Sequence, residues 1–145
     1  MKLIAASEHS TGATGLDLDL EFCKNVLKIA NTDDPRTLDL TGVTRIDLNF
    51  PKFTDGRAYS QAFLLRRRAG FTGEIRATGD VLIDQLVQME RTGFDVAVLR
   101  EDQHLEFAQV QFDRFKSFYQ GDAVTVKPGF SRADVATAAH RGAEV

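Results

Sequence analysis

Hydrophobic and polar positions follow a regular alternation from Arg45 onward. Short apolar runs predict strands over 46–50, 74–78 and 95–99. The stretches between and after them have helical spacing and predict helices over about 55–69, 80–92 and 104–120. This order is typical of parallel sheets with right-handed crossovers. We therefore expect a small single α/β domain with a mostly parallel, four- to five-stranded sheet of βα units and helices packed around it.

The two ends of the chain are less regular. Residues 1–20 are expected to form a flexible or poorly packed lead-in, although Leu and Asp alternate with strand period over 16–20. An apolar segment at Val26–Ala30 ends in a turn. A last strand is expected at Ala123–Val126, followed by a tail over 128–145 with a short Ala-rich helix. The regular core is thus predicted over 45–126 of one domain, residues 1–145.

Helix ends carry recognisable signals. Gly70-Phe71 and Gly93-Phe94 each follow an arginine-containing stretch, and glycine suits the left-handed position that ends a helix. The aspartates at the predicted helix starts are suited to cap free N–H groups; they are Asp55, Asp80 and Asp102.

Composition argues against several classes of protein. The 145 residues carry a net charge of −3, which disfavours a nucleic-acid-binding protein. The lone Cys23 excludes an internal disulfide or a four-cysteine metal site and fits a cytoplasmic protein. The sequence contains neither a signal peptide nor a run of about 20 apolar residues, so we expect no membrane association.

Polar residues gather where the predicted strands end, which is where parallel α/β sheets bind ligands. Cations at these positions, together with helix N-termini, predict a site for an oxyanion, a carboxylate or a cofactor phosphate. The candidate residues are Lys52, Thr54, Asp55, Gly56, Arg57, Ser60, Arg76, Thr78, Gly79, Asp80 and Arg100.

Structural roles are open for several of these residues. Asp55 and Asp80 are expected to act as helix caps, Lys52 and Arg100 can be solvated, and Arg76 can pair with a carboxylate. The three histidines lack metal-ligand spacing, and no dinucleotide fingerprint or phosphate-binding loop motif occurs. The sequence therefore predicts no metal site and identifies neither a catalytic residue nor a cofactor.

Two further features allow alternative interpretations. Arg66 lies on the apolar side of its predicted helix, and we expect its head group to reach water, although a buried ion pair is the alternative. The helix predicted over 104–120 carries an unusually broad aromatic stripe. It is expected to be buried on two sides; otherwise it forms an exposed patch for a partner or a second copy of the chain.

Two runs, FPKFTDGRAYSQA at 50–62 and GEIRATGDVLIDQL at 73–86, resemble a bacterial family of unknown function. That family is usually described as a probable oxidoreductase involved in sulfite reduction. The resemblance covers roughly residues 45–120. The chain departs from it at Asn49, where Asp is expected, and at Ile83, where a charged residue is expected. Matching motif positions are Lys52, Asp55, Gly56, Arg57, Ser60, Arg76, Gly79, Asp80, Asp84 and Gln85.

The resemblance implies a role beside sulfite reductase and the enzymes of sulfur assimilation. We therefore expect an accessory protein of assimilatory sulfite reduction that binds an oxyanion, a cofactor phosphate or a partner enzyme at the strand ends. One alternative is a small flavin- or nicotinamide-dependent oxidoreductase. Another is a non-catalytic interaction module that uses the Phe-rich helix 104–120.

Overall fold

Within the described residues, five strands form one sheet in the computed structural model, which describes residues 1–9, 25–115, 117–128 and 130–131. The strands are β1 (Lys2–Ala5), β2 (Val26–Ile29), β3 (Arg45–Phe50), β4 (Glu74–Gly79) and β5 (Val96–Leu99). Their order is β1-β5-β4-β3-β2, and every neighbouring pair is parallel. The predicted α/β fold is confirmed.

Three α-helices occur in the same part of the chain: α1 (Arg57–Arg67), α2 (Leu86–Thr92) and α3 (Leu105–Asp113). Short 3-10 turns lie at Ala6–Glu8, Pro35–Thr37 and Ile83–Gln85. The strands β2 to β5 are neighbours both in sequence and in the sheet. Successive right-handed crossovers in one direction place the intervening helices on one face. None of the described helices is long and apolar enough to cross a membrane.

The main core lies between that face and the helices. Alternate residues of β3 point into it, and Ile46, Leu48 and Phe50 are fully buried. Helical residues such as Leu65 and Met89 meet them from the other side. Each large side chain buried in this way stabilises the fold by about 1.5–3 kcal/mol, so the helical layer is held mainly by apolar packing.

The opposite face of β3 and β4 carries paired charges. Arg45 donates from Nε to Asp47 at 2.8 Å, and Asp47 is only 4% exposed. Arg76 pairs with Glu74 at 2.6 Å, one strand away. Since residues i and i+2 share one face of a strand, each arginine finds its carboxylate within its own strand.

The N-terminal prediction is wrong at its start. Residues Lys2–Ala5 belong to the sheet rather than to a lead-in, because they pair along β5 from Lys2↔Val96 to Ala5↔Leu99. Ile4 is 8% exposed, and the N-terminal amino group bonds Glu90 at 2.7 Å. The predicted strand period at 16–20 lies outside the described residues.

The C-terminal part also differs from the prediction. Ala123–Val126 form no strand, because Asp122 Oδ1 accepts the N–H of Val124 and the N–H of Thr125 and so holds a turn. The helix expected over 104–120 ends at Asp113. Further along, Phe118 lies beneath Arg91, with 4.1 Å between the guanidinium carbon and the ring centre. Most of the predicted tail helix lies outside the described residues.

The glycine signals at the helix ends are confirmed. Gly70 and Gly93 have φ angles of +67° and +112°, which L side chains rarely adopt. Phe94, after the second glycine, is 2% exposed and donates its N–H to the carbonyl of Met89 at 3.1 Å. Each phenylalanine thus packs back onto the layer that its helix leaves.

Arg66 does not extend into water, and that prediction is wrong. Its side chain is 14% exposed and is ion-paired with Asp95. Its remaining donors reach the carbonyl groups of Phe71, Gly73 and Gly93 at 2.8–2.9 Å. A buried arginine is tolerated here because every side of the guanidinium has an acceptor.

Candidate functional site

The connections that follow β2, β3, β4 and β5 meet at one edge of the sheet, which we call the C-terminal edge (residues 30–37, 51–57, 80–85 and 100–104). It carries seven carboxylates against four cations, a net charge of −3. The complete chain has the same net charge, so the excess of negative charge resides at this edge. The candidate cations therefore lie in acidic surroundings.

Arg57 is engaged by a carboxylate two residues earlier. Its Nε and Nη2 donate to Asp55 at 3.0 and 2.7 Å. These bonds hold the pKa of Asp55 at about 2, below its ordinary 3.8. Asp55 also accepts the backbone N–H of Arg57 at 3.3 Å and a bond from buried Asn31 at 2.7 Å. The aspartate thus joins the start of α1 to the turn after β2, with Gly56 as the N-cap residue.

Arg100 lies between two carboxylates. It donates from Nη1 to Asp80 and from Nε and Nη2 to Asp102, each at 2.6 Å. The bonds from Arg100 lower the pKa of Asp102 to about 2. The pKa of Asp80 also falls, chiefly through the bond that it accepts from the backbone N–H of Phe53. Asp80 therefore does not cap a helix; it links two connections of the C-terminal edge.

The backbone of Phe53 is held on both sides. Its N–H donates to Asp80 Oδ2 at 2.8 Å, and its carbonyl accepts from Gln85 Nε2 at 2.8 Å. Phe53 is nevertheless 47% exposed. Two polar side chains from the connection after β4 thus hold the backbone of an exposed phenylalanine.

Gly79 allows the end of β4 to approach the end of β3 closely. Its φ is +91°, and a Cβ there would collide with the carbonyl oxygen of Phe50. The N–H of Asp80 then donates to that same carbonyl at 2.8 Å. Thr78 donates its hydroxyl to Leu48 at 3.2 Å. Glycine is required here for close backbone approach, and Thr78 stabilises the strand pair.

The remaining candidates are spread more widely. Lys52, Thr54 and Ser60 are exposed around the start of α1. Arg76 faces the other side of the sheet, where its Nη1 lies 3.2 Å from Nδ1 of His9. Burial lowers the pKa of this histidine. The structure thus places Lys52, Arg57 and Arg100 along one edge and Arg76 away from them; the anion-binding role of the group stays a prediction.

One family of bacterial proteins matches most of the chain. The family described as "Bacterial protein of unknown function (DUF934)" matches residues 26–130. The chain belongs to this family. No curated protein and no solved structure matches the chain.

The DUF934 match begins at β2 and continues beyond α3. It therefore includes every residue of the C-terminal edge, whereas β1 lies before its first residue. The predicted membership of a bacterial family of unknown function is confirmed. The link of that family to sulfite reduction stays a prediction.

Sequence inspection missed the role of Gln61. The side chain is 4% exposed, and its Nε2 donates to the carbonyl groups of Ala30 and Asp33, each at 2.8 Å. It fastens α1 to the connection after β2. One feature of the sequence indicates this role: Gln61 lies three residues after Ala58, so a polar side chain falls on the buried face of the helix.

The alternative of an exposed aromatic helix is the one that the structure supports. Of the α3 residues only Ala108 is buried, whereas Phe107 and Val110 are each 54% exposed. A separate cleft of about 370 Å³ lies between α2 and residues 117–128, and Arg91, Phe118 and Lys127 are among its lining residues. Neither the α3 residues nor the residues named for the cleft belong to the loop that contains Phe53.

Proposed function

We propose that this protein is an accessory protein of sulfite assimilation that docks onto an enzyme of that pathway through the loop 51–56. The observation that carries the proposal is the clamp on Phe53, whose N–H and carbonyl are both bound by side chains from the connection after β4. The pathway itself is inferred from the family resemblance.

An exposed aromatic residue with a held backbone suits partner binding. Binding normally costs free energy because loops and side chains lose conformational freedom. Asp80 and Gln85 restrict the Phe53 backbone before any partner arrives, which reduces that cost. Exposed aromatic rings that enter a pocket of the partner commonly dominate the binding energy. The loop 51–56 has both properties.

The charge of the C-terminal edge favours a protein partner over a free oxyanion. Arg57 and Arg100 already have carboxylate partners at 2.6–3.0 Å, so sulfite or phosphate would have to compete with these carboxylates. The net charge of −3 at this edge complements a basic surface instead. We therefore expect the docking partner to present lysines or arginines around an apolar pocket.

The test is a binding titration with purified sulfite reductase holoenzyme. We expect saturable binding that weakens as salt is raised from 50 to 500 mM, because salt screens exposed charges. Phe53→Ala should weaken binding by about tenfold or more, the loss of one aromatic anchor. Phe63→Ala is the matched control, because Phe63 is 43% exposed on α1 and lies outside the loop.

Growth on sulfite as the sole sulfur source tests the link to the pathway. A strain that carries only the Phe53→Ala variant should grow more slowly than one that carries Phe63→Ala, with both proteins at equal levels. If both variants bind sulfite reductase equally well, the loop 51–56 is not the docking surface. If a strain that lacks the protein grows normally on sulfite, the protein has no role in sulfite assimilation.

A further inference from the structure

The outer face of α3 is apolar at its centre and charged at its ends. We propose that two copies of the chain associate through this face, with the two α3 helices antiparallel about a two-fold axis at Val110. No residue of this face belongs to the loop 51–56, so the inference goes beyond the proposed function.

The orientation of α3 follows from its burial pattern. Ala108 is fully buried, and Phe112, four residues later, packs against the core. At 100° per residue, Val110 points almost directly away from that side. Phe107, one turn earlier, lies beside it, and both residues are 54% exposed. A helix in water normally presents polar residues at its outermost positions, whereas α3 has Val110 at the outermost position and Phe107 beside it.

The charges at the ends of this face are arranged symmetrically. Glu106 lies four residues before Val110, and Arg114 lies four residues after it. Both are exposed, and neither forms an ion pair with another residue in the described ranges. Antiparallel pairing about Val110 therefore brings Glu106 of each copy opposite Arg114 of the other.

This arrangement specifies a second copy rather than an unrelated protein. A two-fold interface needs one patch that complements itself, so that residue i meets residue j and residue j meets residue i. Glu106 and Arg114 meet that requirement at equal spacing from one apolar residue. Asp113 lies at the margin of the patch, 3.4 Å from the Gln109 side-chain amide of its own helix.

The size of the patch sets the expected strength. The nine residues of α3 span about 14 Å at 1.5 Å per residue. Phe115, just beyond the helix and 62% exposed, extends the apolar surface. An interface of this length lies at the small end of specific protein contacts. We expect a reversible dimer with a dissociation constant on the order of 10 µM, because standard-size interfaces already extend to micromolar affinity and this one is smaller.

Sedimentation velocity of the full chain over about 1–500 µM tests the proposal, a range that spans the expected constant. Wild type should pass from monomer to dimer, and Val110→Asp should remain monomeric. Glu106→Arg and Arg114→Glu should each weaken association by about tenfold, because each places like charges together twice. The double variant Glu106→Arg/Arg114→Glu restores both pairs with reversed sign and should dimerise like wild type.

Circular dichroism of each variant shows whether it is folded, and Phe63→Asp on α1 is the control for adding an exposed carboxylate. A wild-type chain that is monomeric at 500 µM overturns the proposal. A folded double variant that associates no better than the single variants rejects the two-fold at Val110. None of these variants changes Phe53, and the docking experiment measures binding to a different protein, so the two tests have separate outcomes.

Discussion

Arg66 and Asp95 form an ion pair that joins three separate segments of the protein. Asp95 Oδ2 also accepts the backbone N–H of Ile75 at 2.9 Å, at the start of β4. Arg66 in turn binds the carbonyl of Gly93, which ends α2, and that of Phe71, which follows α1. The pair therefore fixes how the two helix ends lie against the first residues of the strand.

Arg66→Met should destabilise the fold by about 2–4 kcal/mol, because it leaves Asp95 and the backbone carbonyl groups without their donor. Methionine preserves most of the apolar stem, so the loss reports chiefly on the polar contacts. Urea unfolding followed by circular dichroism measures it. Arg67→Met, at the exposed neighbouring position, should change stability by less than about 0.5 kcal/mol. Equal midpoints for both variants would contradict the role of Arg66.

The sequence showed that Arg66 was unusual but not what it binds. Helical spacing placed it on the apolar side of α1, which is where it lies. Its partner Asp95 is 29 residues away, and its carbonyl acceptors are 5 to 27 residues away. Local periodicity predicts which face of a helix a residue lies on, but it carries no information about contacts between distant segments. The expectation that the Arg66 head group reaches water was therefore wrong, and the alternative of a buried ion pair was right.

Gly93→Ala should be much more harmful than Gly70→Ala, although both glycines have positive φ. A Cβ at Gly70 meets nothing within 4 Å, whereas one at Gly93 would lie 2.5 Å from Cγ of Arg66. The backbone strain common to both should cost about 1–2 kcal/mol. The collision should add about 1–3 kcal/mol at Gly93 alone. Urea midpoints of the two variants measure this difference, and equal losses would show that Arg66 moves aside freely.

Acid titration should follow the pairing of Asp55 with Arg57. The lowered pKa of about 2 means that this carboxylate stabilises the fold fully above pH 3.8. That stabilisation is then lost as the pH falls from 3.8 toward 2. Arg57→Gln should return the folded-state pKa toward 3.8, so less stability is lost as the pH falls through this range. Carbon NMR of the Asp55 carboxyl measures the pKa.

Arg36→Gln is the control for that titration. It removes the corresponding partner of Asp34, whose pKa is also held at about 2, and should leave Asp55 unchanged. An Asp55 pKa that stays near 2 in the Arg57→Gln protein would assign the shift to Asn31 or to another neighbour.

The fate of the candidate arginines was partly visible in the sequence. Within the described ranges, five arginines have a carboxylate two positions away, and each forms that pair; they are Arg36, Arg45, Arg57, Arg76 and Arg100. The spacing predicts self-neutralisation on one strand face or around one turn. Which side of the sheet Arg76 faces, and which distant loop Asp80 reaches, depend on register and crossover geometry that local spacing does not specify.

The clamp on Phe53 predicts slow amide exchange at an exposed position. Asp80→Ala removes the acceptor of the Phe53 N–H and should accelerate its hydrogen exchange by about tenfold, the worth of one hydrogen bond to a charged group. Asp102→Ala is the control, because Asp102 binds Arg100 but not the loop. Exchange measured by NMR should change at Phe53 only in the first variant. If both variants accelerate it equally, Arg100 holds the loop rather than the direct bond from the Phe53 N–H to Asp80. The partner-binding surface would then depend on the whole acidic edge.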